Sequence, residues 1–220
     1  MRSISVYVHI PFCIRKCNYC NFYSIRAQRG TIEKYVDAIV KEINLRKDLL
    51  LDRKIKTVYV GGGTPSLLKP HLLEKIIDTF YRVSNFHKNV EITLEVNPET
   101  VKEENFYEFK RMGINRISLG AQSFNDNSLK LLGRVHNSEK VKESFRTLRE
   151  LNFENINIDI IMGIPSEDEG DFLRTLEETV KLNPEHVSVY SLEYHKDTPL
   201  YLDAIEKKIT PISKELERKL

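Results

Sequence analysis

Thr57-Val58-Tyr59-Val60-Gly61-Gly62-Gly63 opens the unit that decides the fold: a β-branched, aromatic strand stopped by glycine, then a helix after Pro70, then a strand from Glu91 to Val96 stopped by Asn97-Pro98. The same alternation runs outward from it. Upstream lie a strand from Ile4 to Ile10, ending at Pro11, and a helix from Thr31 to Leu51, with Ile32, Tyr35, Val36, Ile39, Val40 and Ile43 at helical spacing and Thr31 as N-cap. Downstream follow a helix from Val101 to Met112, a strand from Asn115 to Leu119 stopped by Gly120, and a helix from Ser138 to Leu151. The series ends with a strand from Asn155 to Met162 stopped by Gly163, a helix from Asp171 to Leu182 and a strand from His186 to Leu192. Six strands alternating with helices predict an α/β chain with a parallel sheet of right-handed βαβ units. A closed eight-unit barrel typically needs about 250 residues. The 220 residues here therefore predict a partial (β/α)6 barrel, with an open doubly wound sheet as the alternative.

Composition narrows the function classes. Hydrophobic residues make up 40% and charged residues 30%, the usage of an ordinary globular domain, which excludes a disordered or fibrous chain. The formal charge is only +2, from 34 basic and 32 acidic residues, so nucleic acid is not an expected partner. Apolar runs such as Ile158 to Ile164 are interrupted by Asp159 and Gly163 and fall short of the ~18 residues of a membrane span. The N-terminus lacks a sustained apolar stretch and a cleavage site, which predicts a cytoplasmic protein. No linker divides the chain. Ile205 to Leu220 reads as a charged connector and an amphipathic helix that runs out, so residues 1–204 are expected to form the barrel and 205–220 the start of a truncated C-terminal region.

All three cysteines, Cys13, Cys17 and Cys20, fall in one short C-x3-C-x2-C loop after the first strand, on the barrel face where catalytic loops gather. An odd number at such spacing does not make a disulfide framework and points to metal or redox chemistry. Zinc would require a fourth ligand, for which His9 is the nearby candidate. A four-iron, four-sulfur cluster held by three cysteines would leave one iron open. Free structural thiols are the third reading.

The surrounding residues carry a resemblance. Tyr7-Val8-His9-Ile10-Pro11-Phe12-Cys13 through Tyr19-Cys20 resembles the opening signature of the radical S-adenosylmethionine family, in the group that holds the anaerobic coproporphyrinogen III oxidases and the HemW-like haem chaperones. Gly61-Gly62-Gly63-Thr64-Pro65, Leu94 to Pro98, Gly120 to Phe124, Leu132 to His136 and Asp159 to Pro165 extend it over nearly the whole chain. It implies the partial barrel, a [4Fe-4S] cluster on Cys13, Cys17 and Cys20, and S-adenosylmethionine as second cofactor, split in that family to a 5′-deoxyadenosyl radical.

S-adenosylmethionine presents an ammonium, a carboxylate, ribose hydroxyls and an adenine face, so its site needs acceptors, a fixed cation and a flat surface. Gly61 to Gly63 are read as letting backbone amides and carbonyls approach the ligand. Glu95 is placed to accept from the ammonium, and Gln122 and Asp159, at two strand ends, from the ribose. Arg134 offers a guanidinium to the carboxylate, and Tyr7 and Tyr19 flank the cysteine loop. The resemblance carries the family's contacts onto Tyr7, Gly62, Gly63, Thr64, Glu95, Gln122, Arg134 and Asp159. No catalytic side chain is assigned. The oxidases carry a further cysteine two residues after the third, where this chain has Phe22. That favours the chaperone branch, with haem as a further ligand and a haem-accepting apoprotein as partner, over a radical decarboxylase acting on a porphyrinogen. Either reading implies a reductant such as flavodoxin or ferredoxin. The haem motif HNxxYW is absent, since the chain contains no Trp.

Overall fold

The computed structural model describes every residue except Met1 and Arg29. Six parallel strands form one sheet in the order β1 (Arg2–Ile10), β4 (Arg53–Gly62), β5 (Asn85–Val96), β6 (Arg116–Gln122), β7 (Ile156–Met162) and β8 (His186–Ser191). Sequential neighbours joined by helical crossovers give the curled partial barrel that the alternation predicted, and not a doubly wound sheet, whose strand order reverses.

The two faces of the sheet differ sharply. Val8, Val60, Leu94 and Ile117 stand side by side on one face and are buried. They pack under α1 (Thr31–Leu45), α2 (Pro70–Val83), α3 (Glu103–Arg111), α5 (Ser138–Glu150) and α6 (Glu169–Leu182). Under α3, Phe106 meets Phe109 and Phe153 edge-on, with ring centroids 5.1 and 6.3 Å apart, the arrangement aromatic quadrupoles prefer. The other face carries Tyr59, Glu95, Ser118, Asn157 and Asp159. Parallel strands covered on both sides are apolar throughout, so the strict alternation Ile92-Thr93-Leu94-Glu95-Val96 records a sheet that keeps one face for polar work.

The element ends refine the sequence reading. The first helix is capped by Gly30 at φ 80° with no side-chain cap bond, and Thr31, the expected N-cap, is its first helical residue. That helix stops at Leu45, and a tight turn over Lys47–Leu49 follows. α6 begins at Glu169, earlier than expected, because Asp168 and Asp171 form a reciprocal capping box. Three short pieces carry no readable periodicity. They are the ladder of β2 (Phe12–Cys13) with β3 (Ile25–Arg26), helix α4 (Asp126–Leu131), which Asn125 caps, and helix α7 (Pro199–Ile205). The last helix, α8 (Lys214–Lys219), falls in the expected amphipathic stretch. Among the described residues no helix is long and apolar enough to cross a membrane.

Candidate functional site

The cysteine loop is fastened at both its base and its tip. At the base, Ile25 N–H donates to Pro11 O and Ala27 N–H to Cys13 O, so β2 and β3 close the loop behind Cys13. At the tip, Asn18 donates its backbone N–H to Leu132 O (2.9 Å) and its side-chain amide to Leu131 O (2.8 Å), and its carbonyl accepts from Leu200 N–H. Asn18 thereby spends its hydrogen bonds on the C-terminal end of α4, whose last carbonyls need donors. The approach is close enough that a Cβ on Gly133, at φ 75°, would lie 2.8 Å from Asn18 Oδ1. Gly133→Ala is therefore expected to cost roughly 1–3 kcal/mol, the range for non-glycine strain in the left-handed region, read as a lowered urea midpoint. An unchanged midpoint would show that the tip is free to shift.

The three thiols are free and half-buried, and all open onto one cavity of about 500 Å³. Burial raises the Cys20 thiol above its ordinary value, with Cys17 and Cys13 adding to the rise and the Phe22 backbone and Lys16 opposing it. A metal centre taking all three as thiolates removes that cost. Among the described residues no three His, Cys, Asp or Glu side chains already stand as a closed metal cage. His9 does not supply a fourth ligand to zinc. Its Nδ1 faces Tyr7 OH at 3.2 Å and its Nε2 faces the Tyr23 carbonyl at 3.1 Å.

A hydrogen-bonded chain runs from one thiol to another across the cavity wall. Thr64 Oγ1 donates to Cys13 Sγ at 3.7 Å, Asn97 Nδ2 donates to Thr64 Oγ1 at 3.1 Å, and Arg134 Nη2 donates to Asn97 Oδ1 at 2.8 Å. Arg134 Nη2 also reaches Gly120 O at 3.0 Å, and Nη1 reaches Cys17 Sγ at 3.4 Å. Burial opposes the Arg134 charge, but Tyr19, Cys17 and Glu99 more than offset it, so the guanidinium stays cationic. Its Nε is buried and, among the described residues, has no acceptor. An orphaned guanidinium donor beside a cavity is what an anionic group of a ligand would satisfy.

Two carboxyl side chains also line the cavity. Glu95 Oε2 accepts from Gly62 N–H at 2.8 Å, and burial raises its carboxyl above the usual range against the Gly62 amide and the Tyr59 hydroxyl. Asp159 accepts from Ser118 Oγ at 2.9 Å and Asn157 Nδ2 at 2.7 Å and is likewise raised by burial. A ligand with a positive centre between these carboxylates and an anion toward Arg134 matches the charge layout. Gln122 closes the remaining wall at φ 72°, a costly conformation for a non-glycine residue, and such strain gathers at functional sites.

The placements correct several expectations. The Gly62 and Gly63 amides, and that of Thr64, are already bonded within the fold, Gly62 N–H to Glu95, Gly63 N–H to Ile10 O and Thr64 N–H to Phe12 O. Gly63 is instead a close-packing position: a Cβ there would lie 2.7 Å from Phe12 O and 2.9 Å from Cys13 Sγ. Asp159 sits mid-strand in β7, not at its end, and reaches the cavity because the sheet curls around it. Tyr19 lines the cavity with a phenol that burial pushes up and Arg134 pulls down. Tyr7 is 58% exposed; its hydroxyl lies 3.2 Å from His9 Nδ1 and its ring stacks on Tyr59, which lines the cavity. Tyr59, Asn97, Ser118 and Asn18 were missed by sequence reading. For Tyr59 and Ser118, polar side chains among their strands' apolar positions were the available signal.

Comparison with known proteins agrees with this geometry. The chain is 38% identical over 200 residues to heme chaperone HemW of Buchnera aphidicola subsp. Schizaphis graminum, covering 90% of this chain and 53% of that protein. It is 35% identical to heme chaperone HemW of Escherichia coli strain K12, covering 89% and 52%. The structure of coproporphyrinogen III oxidase from Escherichia coli, described as a radical SAM enzyme, superposes with a TM-score of 0.87 at 29% identity, over 99% of this chain and 50% of that one. The chain thus spans about half the length of these relatives. A family model of the Radical SAM superfamily matches residues 7–179, a span that takes in the cysteine loop, the glycine run, Glu95, Arg134 and Asp159, and by that match the chain belongs to this superfamily.

Proposed function

We propose that this chain is the cofactor-binding barrel of a haem chaperone. Cys13, Cys17 and Cys20 would hold a [4Fe-4S] cluster, and Glu95, Gln122, Asp159 and Arg134 would hold S-adenosylmethionine beside it, with Tyr19 and Thr64 on the cavity wall and Tyr7, Gly62 and Gly63 supporting the site. The observation that carries the cofactor reading is Arg134, which touches Cys17 Sγ, is anchored on Asn97 and Gly120, and has a buried Nε in need of an acceptor. When bound, the cluster supplies an electron and an iron with an open coordination position. The chain's own part is to bind and orient. The Arg134 guanidinium takes the ligand carboxylate, the Glu95 carboxylate takes the ammonium, and Asp159 and Gln122 accept from hydroxyls.

The haem part of the reading rests on likeness to proteins named heme chaperone HemW and on Phe22, an apolar side chain 61% exposed at the cavity mouth where the oxidases carry a thiol. The partners that follow are haem, an apoprotein that accepts it and a flavodoxin- or ferredoxin-like reductant in the cytoplasm. The TM-score of 0.87 to coproporphyrinogen III oxidase favours a second reading, radical decarboxylation of a porphyrinogen. The test is anaerobic incubation of the complete, cluster-loaded and reduced protein with S-adenosylmethionine and either haem or coproporphyrinogen III, followed by chromatography of the porphyrins. Haem is expected to bind and remain unaltered, and coproporphyrinogen III to be recovered unchanged. Repeated formation of the decarboxylated product would move the protein to the oxidases.

A further inference from the structure

Two residues beyond Arg134 stands a buried histidine that the cofactor reading does not use. The His136 side chain has no solvent exposure, and both ring nitrogens face acceptors: Nδ1 lies 3.1 Å from Glu99 Oε2 and Nε2 lies 3.2 Å from Ala121 O. The ring thus ties the turn after β5 to the end of β6, with one nitrogen against each. Glu99 faces it from the turn after β5, Arg134 stands on its own segment and Asp126 lies at the start of α4. Burial would raise the Glu99 carboxyl, but the His136 hydrogen bond and the Arg134 charge bring it below its usual range.

Its neighbours repeat those of Arg134 one step along. Arg134 grips Asn97 and Gly120, and His136 grips Glu99 and Ala121. Side chains two residues apart on one loop segment thus clasp the turn after β5 and the end of β6. Between them Val135 is 50% exposed, so little apolar packing holds the segment. We infer that His136 is a positioning residue: bridging Glu99 and Ala121 from a buried position, it fixes the segment that aims Arg134 at Cys17 Sγ and at the carboxylate of S-adenosylmethionine. Replacing such a supporting residue typically costs about 10- to 100-fold in affinity or activity at the site it supports.

This inference rests on the S-adenosylmethionine reading, and its test separates the two. S-adenosylmethionine is titrated calorimetrically into the anaerobic, cluster-loaded protein and its Arg134→Ala, His136→Gln and doubly substituted variants. His136→Gln, which can keep a donor toward Ala121 but loses Glu99, is expected to bind roughly tenfold more weakly. In the Arg134→Ala background the same change is expected to cost less than about threefold, because a residue acting through Arg134 has nothing left to position. Normal binding by Arg134→Ala would mean that the ligand sits elsewhere and would sink both readings. A weakened Arg134→Ala beside a normal His136→Gln, or losses that add fully in the double variant, would overturn the inference alone. Should His136→Gln fail to fold, Glu99→Gln replaces it, with the same expected losses.

Discussion

Replacing any one of Cys13, Cys17 or Cys20 by Ala is expected to abolish stable cluster binding: anaerobic reconstitution of the unsubstituted chain should give about four irons and a broad absorption near ~400 nm, and each variant neither. The expectation is all-or-none because the chain has no spare thiol. All three cysteines lie in the loop, and His9, the fourth-ligand candidate from the sequence, has its ring nitrogens against Tyr7 and Tyr23. The three positions should nonetheless differ in what else they disturb. Cys13 ends β2 and lies under the close approach of Gly63, so shrinking it leaves a gap at a tightly packed junction. Cys17 removes the acceptor of Arg134 Nη1 and leaves a second buried guanidinium donor short of a partner beside the orphaned Nε. Cys20 has the thiol that burial raises, which keeps it neutral in the metal-free chain, so its loss removes no buried charge there. Iron and sulfide analysis with ultraviolet–visible spectra decides the main claim. A stoichiometric zinc with no ~400 nm band in the unsubstituted chain would remove the cluster reading altogether.

The sheet was legible because its signals are local. Each strand carries β-branched residues up to a glycine or an Asn-Pro stop, and a stop needs only its own residues to act. The cysteine loop was legible for the same reason. What could not be read depends on partners far away along the chain. Asn97 looks like a strand stop until Arg134 lies against it, 37 residues on, and Asn18 looks like loop filler until the end of α4 arrives, 113 residues on. Asp159 was assigned to a strand end because ligands gather at strand ends in barrels, but the register sets it beside Gly120 and Ser188 in the strand interior. The glycine run shows the converse limit. Its composition correctly signalled a close approach, but only the fold shows that the approaching atoms are Phe12 O and Cys13 Sγ.

Glu95→Ala and Arg134→Ala are each expected to weaken S-adenosylmethionine binding to the cluster-loaded protein by roughly 1.5–3 kcal/mol, the range for hydrogen bonds to charged groups. They are assigned to opposite ends of one ligand and have different anchors, Gly62 and Tyr59 for Glu95 and Asn97, Gly120 and Cys17 for Arg134. With no shared partner their losses should nearly add, to about 3–6 kcal/mol in the double variant, or at least a hundredfold in affinity. The free proteins should respond with opposite signs. Burial holds the Glu95 carboxyl above its usual range, so removing it discards a charge whose burial is costly until an ammonium arrives. Arg134 is a cation among acceptors, and truncating it leaves Asn97 Oδ1 and Gly120 O unpaired and Glu99 facing His136 alone. Arg134→Ala should therefore lower the urea midpoint of the ligand-free chain, while Glu95→Ala should leave it level or raise it. Arg134→Lys keeps the charge but not the planar fork, and should restore more stability than affinity. Affinity restored in full by Lys would mean that charge alone is read at this position, and an unchanged affinity in the double variant would place the ligand outside this cavity.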